Sequence, residues 1–197
     1  FGVDTSFIAR GGDRIGVYFV ENGANQRPSI VIYDRANSSI ATAKPGSLDW
    51  SAIFQGAVWF HITGITPAIN ASAAALSLEA VQTAKQMGLT VSCDYNYRAK
   101  LWKYGKSAPE VMSELVRYVD VGIANEEDIQ KSLGIVLEES SESAVQSGEL
   151  ELAHYKALCE KVFDVFPNLK KQFITLRQSF SADHNGWSAC LHNRESF

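Results

Sequence analysis

Hydrophobic and polar positions change rhythm about forty residues into the chain. Residues 15–21 and 29–33 are runs of β-branched and aromatic side chains, joined by Asn22-Gly23-Ala24-Asn25-Gln26-Arg27-Pro28, which is dense in turn formers. This pattern predicts an antiparallel pair of strands, a small sheet attached to the main body. From there, strand-like and helix-like stretches alternate. Residues 57–62 read as a buried strand with Thr63-Gly64-Ile65-Thr66-Pro67 as its exit loop, and residues 70–87, rich in Ala and Leu, predict a helix with Gly88 at the C-terminal cap. A second buried strand is expected over 89–93. Ser107 and Pro109 suit the start of a helix running through Val119, followed by a short strand over 121–124 and an acidic helix start at Asn125-Glu126-Glu127-Asp128. Residues 138–151, rich in Glu and Ser, read as a solvated loop or insertion. A helix from about Leu152 to Phe166 ends at Pro167, and the last strands are 172–176 and 187–191.

Repeated strand–helix units of this size imply an α/β fold, a doubly wound, mostly parallel sheet with helices on both faces. The division expected is a β segment over 1–42 and an α/β core over 43–197. Ligands of such sheets bind outside the carboxyl ends of the strands. Four polar connections should meet there, beginning at Thr63, Asp94, Asn125 and Thr175.

Composition narrows the class. The 197 residues are 46% hydrophobic and 20% charged, which fits one globular domain, and the net charge of −4 without a dense Lys/Arg run gives no sign of nucleic-acid binding. No stretch is long and apolar enough for a membrane span. Cys93, Cys159 and Cys190 are odd in number and widely spaced, so they read as buried thiols in a reducing compartment, the cytoplasm. The four histidines show no metal-ligand spacing, and no Gly-x-Ser-x-Gly elbow occurs. Gly105-Lys106-Ser107 imitates the end of a P-loop, but Lys100 stands where that pattern needs Gly. The first and last residues read as the ends of an internal fragment.

Two strings carry candidate chemistry. Asp94-Tyr95-Asn96-Tyr97-Arg98-Ala99-Lys100-Leu101-Trp102 directly follows a buried strand, and its Asn and Arg can donate several hydrogen bonds to a phosphate or a sugar carboxylate. A surface loop anchored by one Trp is the plainer alternative. In Tyr33-Asp34-Arg35-Ala36-Asn37-Ser38, strand alternation turns Tyr33 and Arg35 the same way, which suits a small anionic, hydroxylated ligand. An exposed edge strand with an ordinary ion pair is simpler on spacing alone.

Taken in order, these two strings, Thr63-Gly64-Ile65-Thr66-Pro67 and Asn125-Glu126-Glu127-Asp128 resemble the ribokinase-like (PfkB) carbohydrate kinases, and within them the 2-keto-3-deoxygluconate kinases. The resemblance spans essentially the whole chain. It implies a ribokinase-like fold whose small antiparallel sheet is a lid. Tyr18, Tyr33 and Arg35 would lie on that lid and contact the sugar acid, Ile65 would line the sugar pocket, and Arg98 would face both substrate and the transferring phosphate. Asn96 and Tyr97 would help to form the adjacent nucleotide site, with Asn125 and the acidic groups behind it organising ATP phosphates through Mg²⁺ and water. Thr175, Arg177 and Ser179 would begin the nucleotide loop and Gly186 would end it. Lid sheets of this family often pair between subunits, and Tyr18 and Val20 suit such a homo-oligomer.

The implied activity is ATP-dependent phosphorylation of 2-keto-3-deoxygluconate. A kinase for a neutral sugar such as fructose, or a non-catalytic sugar-acid binding module, stands as an alternative. Three departures from the family pattern bear on it. Asp128 stands where the family has Glu, the stretch after Thr175 is poor in Gly, and the Gly-Ala-Gly-Asp motif that supplies the general base does not occur in these residues.

Overall fold

The structure, a computed structural model, describes residues 1–137, 148–181 and 184–197. Strand β1 (Val17–Glu21) pairs antiparallel with β2 (Ile30–Asp34), setting Tyr18 opposite Tyr33 and Val20 opposite Val31. This is the small separate sheet that the turn-rich 22–28 segment predicts. Two short helices follow, α1 (Ser39–Thr42) and α2 (Trp50–Phe54). Neither is long enough to show a helical period, so the sequence gives no warning of them. Trp50 and Phe54 stack at 5.3 Å and both lie against Phe60, which ties α2 to the main sheet.

That sheet contains β3 (Trp59–Thr63), β4 (Thr90–Asp94), β5 (Val121–Ala124), β6 (Lys171–Ser179) and β7 (Asn185–His192), in that spatial order. The first four are parallel, and β7 returns antiparallel to β6. Helices α3 (Ala71–Gln86), α4 (Ala108–Val116), α5 (Glu126–Leu133) and α6 (Gly148–Val165) fill the crossovers. The Asn70 side chain caps α3 by accepting from Ala73 N–H, and Gly88 follows with φ +81°. The polar 138–151 stretch divides: 148–151 belong to α6, since Glu and Leu favour helix, and 138–147 lie outside the described residues.

Successive strands step in one direction across the sheet, and right-handed crossovers that step one way fall on one face. Accordingly α3 packs beside α4 and α4 beside α5. The covered face carries Ile62, Val91, Cys93, Ala124, Gln172 and Ile174, all buried. On the other face Trp59 and His61 are exposed and Ile123, Phe173 and Thr175 are half-buried. Helices on both faces were expected; the described residues supply them for one. Among the described residues no helix is long and apolar enough to cross a membrane.

The covered face has a polar centre. Tyr95, directly after β4, is wholly buried and its hydroxyl donates to Gln172 Oε1 at 3.0 Å, while Gln172 Nε2 donates to the Phe173 carbonyl. The pair closes over Gly122, where an added Cβ would collide with both the Tyr95 hydroxyl and Gln172 Oε1. Only a residue without a side chain lets β5 pass beneath this bond. Gly122→Ala should therefore either break a buried hydrogen bond or push the two strands apart. The expected loss is about 2–4 kcal/mol, read from the denaturant midpoint. A midpoint equal to the parent's would show that the Tyr95–Gln172 pair yields without cost.

Candidate functional site

The carboxyl ends of β3, β4 and β5 are joined by backbone and carboxylate bonds. Gly64 N–H donates to the Asp94 carbonyl at 2.7 Å, and Gly64 sits so close to the Tyr95 carbonyl that a Cβ has no room there. Tyr95 N–H donates to the Ile123 carbonyl, carrying the β4 chain across the end of β5. Asn96 then takes a left-handed backbone, φ +39°, which Asn tolerates better than most residues. Its side-chain amide donates to Asp94 Oδ2 at 3.1 Å and reaches Thr63 Oγ1 at 3.4 Å. Tyr97 N–H donates to Asp128 Oδ1 at 2.8 Å. Asp128 in turn exchanges capping bonds with Asn125: its N–H donates to Asn125 Oδ1 at 2.7 Å and its Oδ2 accepts from Asn125 N–H. Tyr104 fixes the far end of the loop by donating to the Pro67 carbonyl at 2.7 Å.

Electrostatics separate the two ends of the sheet. At the amino ends, buried Asp120 would be raised by burial, but bonds from Lys85, Val91 N–H and Lys170 outweigh that and hold it below the usual carboxylate range. At the carboxyl ends, Asp94 is pushed up by burial and by the charge of Asp128, against the opposing pull of His61, Arg98 and Asn96. Asp128 is likewise raised by burial, although two backbone N–H groups and Arg98 favour its charge. Perturbed carboxylates at the ligand-binding edge of an open sheet mark a functional site more strongly than one neutralised by two lysines.

Two cavities flank the Asp94–Trp102 loop. One, about 910 Å³, is bounded by Arg98, Asn125, Glu126, Glu127, Thr175, Arg177, Gly186 and Trp187. The other, about 710 Å³, lies between β2 and the core and includes Tyr33, Arg35, Asn70, Lys100 and Lys103. The predicted nucleotide residues Arg98, Asn125, Thr175, Arg177 and Gly186 thus share one cavity. Ser179 falls outside it, in a separate cleft with Arg177 and residues 25–29, and donates to Asn185 Oδ1. The expected nucleotide loop is largely paired strand: Arg177 faces Trp187, Gln178 faces Gly186 and Ser179 faces Asn185. Past Leu176 the strand runs through the polar residues Arg177, Gln178 and Ser179, whose pairing across to 185–187 the local sequence does not announce.

The predicted sugar residues are gathered in part. Arg35 stacks over Tyr33 at 5.0 Å, as alternation requires, and both line the second cavity. Tyr18 is 6.4 Å from Tyr33, ring to ring, but exposed and outside that lining. Ile65 is half-buried and also outside it, where Ile69 is present instead. Asn96 and Tyr97 are half-buried, bonded to Asp94 and Asp128, and line neither cavity. Unanticipated are Lys100, Lys103 and Asn70 in the sugar-side cavity and Tyr155 and Trp187 in the other. Trp187 lies 5.6 Å beneath the Arg177 guanidinium. Asn70 also donates to the Ala41 carbonyl at 2.7 Å, joining the start of α3 to the segment that leaves the lid.

The larger cavity's donors fit a nucleoside triphosphate. Two arginines and an Asn can meet phosphate oxygens, and the Glu126 and Glu127 carboxylates can hold a hydrated Mg²⁺ beside them. Among the described residues no group of three or more His, Cys, Asp or Glu side chains is gathered as a self-sufficient metal site.

The chain has relatives of known structure and name. It is 46% identical to the crystal structure of 2-dehydro-3-deoxygluconokinase from Thermotoga maritima, covering 98% of this chain and 55% of that one with a TM-score of 0.84. A PfkB family carbohydrate kinase from Listeria grayi is 28% identical over 97% of this chain and 54% of that one, with a TM-score of 0.76. The 2-dehydro-3-deoxygalactonokinase of Haloferax volcanii is 40% identical over 120 residues, 61% of this chain and 37% of that protein. The chain thus spans about half the length of these structures and little more than a third of that curated relative. Residues 1–158 match the model of the pfkB family of carbohydrate kinases, and with the lid strands, sheet order and loop motifs in place, this chain belongs to that family.

Proposed function

We propose that the whole protein transfers the terminal phosphoryl group of ATP to the terminal hydroxyl of 2-keto-3-deoxygluconate, giving 2-keto-3-deoxy-6-phosphogluconate and ADP. The observation that carries this reading is the lid-side cavity, where Arg35 stands beside Tyr33 with no carboxylate in the lining. Such a wall suits a sugar acid better than a neutral sugar, since a guanidinium can accept a carboxylate in two parallel bonds. The names of the Thermotoga and Haloferax relatives supply the same substrate class, differing in the sugar epimer.

Phosphoryl transfer depends on positioning and on positive charge at the phosphate oxygens. In this reading Arg98 and Arg177 supply that charge from the larger cavity, and Asn125 and Trp187 bound the nucleotide. Mg²⁺ held near Glu126 and Glu127 would add charge stabilisation. The sugar's hydroxyl attacks the γ-phosphorus, the bond to the ADP oxygen breaks, and a base takes the hydroxyl proton. None of the chain's own residues described above is assigned that base. Lid closure keeps water from competing with the sugar. Cys93 and Cys159 are buried, with their thiols pushed up by burial, Cys159 to about 12, so neither acts as a nucleophile; both fit a cytoplasmic protein. The exposed Tyr18, Phe19 and Val20 of the lid support pairing of lid sheets between two copies.

The deciding experiment is titration of the whole protein with 2-keto-3-deoxygluconate, its galacto epimer and fructose, together with ATP-dependent turnover of each. Binding and turnover of a 2-keto-3-deoxy acid in preference to fructose is expected; preference for fructose would refute the reading. Within the same protein, Arg35→Ala should raise KM for the sugar acid about tenfold or more, while leaving KM for ATP unchanged. Equal rises for acid and neutral sugar would remove the carboxylate role.

The Asp94 carboxyl yields a pH prediction. Because burial and Asp128 raise its folded pKa, the native state holds a proton more readily than the unfolded chain. Stability therefore falls as pH rises from the ordinary carboxylate range through the folded pKa. Asp94→Asn should unfold at a higher temperature than the parent at pH 7, and the gap should shrink as pH falls toward 4. A gap that grows on acidification would show that Asp94 is stabilised as the anion.

A further inference from the structure

The lid-side cavity is more basic than the Tyr33–Arg35 pair alone makes it. Lys100 and Lys103, from the end of the Asp94–Trp102 loop and the residue after it, line the same space as Arg35. All three contribute to the cavity's lining, and no Asp or Glu does. The nearest acid in sequence, Asp34, is already committed: both its carboxylate oxygens accept from Arg14, at 2.8 and 2.7 Å. Among the described residues neither lysine lies within ion-pair distance of any carboxylate. Lys100 instead donates to the Val31 carbonyl of β2 at 3.0 Å, so its ammonium stands at the rim between loop and lid.

Three cations gathered around one cavity repel one another, and among the described residues no anion lines it to offset that repulsion. An anionic occupant removes it. Resting on the reading given above, we infer that Lys100 and Lys103 are specificity-determining residues for the sugar acid. They raise the positive potential at the carboxylate end of the site, where Arg35 supplies the directional contact. Lys100 adds a second effect, because its bond to Val31 holds β2 over the loop that carries Arg98 on its other side. The phosphate-side residues are spared this role: Arg98 and Arg177 line the other cavity.

The test compares the whole protein with its Lys100→Met/Lys103→Met and Lys100→Arg/Lys103→Arg variants. Direct titration with 2-keto-3-deoxygluconate and steady-state kinetics are run at low and at high potassium chloride. The Met variant should bind the sugar acid about tenfold more weakly at low salt, from two partly exposed charge interactions, with KM for ATP unchanged and kcat changed less than KM. Its affinity should also depend less on salt than the parent's, since screening acts on the charges that were removed. The Arg variant should bind within about twofold of the parent, which a lost structural bond alone would not produce at both positions. The inference is overturned if the Met variant binds the acid as the parent does at low salt, or if KM for ATP rises in step with KM for the acid. A parent that neither binds nor phosphorylates the acid refutes the kinase reading itself, and the lysine role falls with it.

Discussion

The carboxylate of Asp128 is the joint on which the site depends. One oxygen holds Tyr97 N–H of the loop after β4, and the other holds Asn125 N–H at the start of α5. The carboxylate ties the part of the loop next to Arg98 directly to the start of the helix that presents Asn125, Glu126 and Glu127. The family places a longer acid at this position. Here the loop backbone approaches closely enough for the shorter arm to reach, helped by the left-handed turn at Asn96 that delivers Tyr97 N–H. Two backbone donors are not enough to offset the burial of the charge, and the pKa of Asp128 stays raised. The joint is thus held at an electrostatic cost, as expected where geometry serves a ligand rather than stability.

The same loop is possible only because the covered face of the sheet is rigid beneath it. Tyr95 turns inward to Gln172 across Gly122, and its carbonyl accepts from Ser132 Oγ of α5 at 3.4 Å. One residue later the chain is at the surface. Cys93 and Tyr95 are buried, Asp94, Asn96 and Tyr97 half-buried and Arg98 exposed, so the chain passes from core to surface within four residues of the strand's end. Burial of Tyr95 contributes on the order of 2 kcal/mol. Its hydrogen bond adds direction, so the polar residues that follow leave the core at a defined angle.

Much of this was legible in the sequence, for identifiable reasons. The strands β3, β4 and β5 are short apolar runs bounded by polar loops, and the helix α3 carries an Asn cap at one end and Gly at the other. Local chemistry settles those elements, and the polar clusters after the strands follow from them. What was not legible depends on partners distant in the chain. Ser179 and Asn185 pair because a hairpin extends beyond the apolar residues of β6 and β7, and nothing in Arg177-Gln178-Ser179 is hydrophobic enough to announce a strand. Lys100 and Lys103 look like ordinary solvated lysines until β2 is laid beside them. Asn70 reads only as a helix cap, yet its second amide bond ties that helix to the exit of the lid. The short helices α1 and α2 lie below the length at which periodicity carries information.

A single loop borders both cavities, and that fact constrains how the site can work. Arg98 lies on the phosphate side, and Lys100 and Leu101, two and three residues later, on the lid side. The two sides cannot move independently, because Tyr97 is pinned by Asp128, Tyr104 by the Pro67 carbonyl, and Lys100 by Val31 of the lid. A shift of β2 therefore pulls on the segment that carries Arg98, through Lys100 two residues along the chain. Differential contact of this kind lets occupancy at one side bias the arrangement at the other. Arg98 donates to the Tyr97 carbonyl at 2.7 Å and lines the larger cavity, while Lys100 and Arg35 line the smaller one. The fold thus ties both cavities to one loop, with the covered sheet face as the fixed support beneath it.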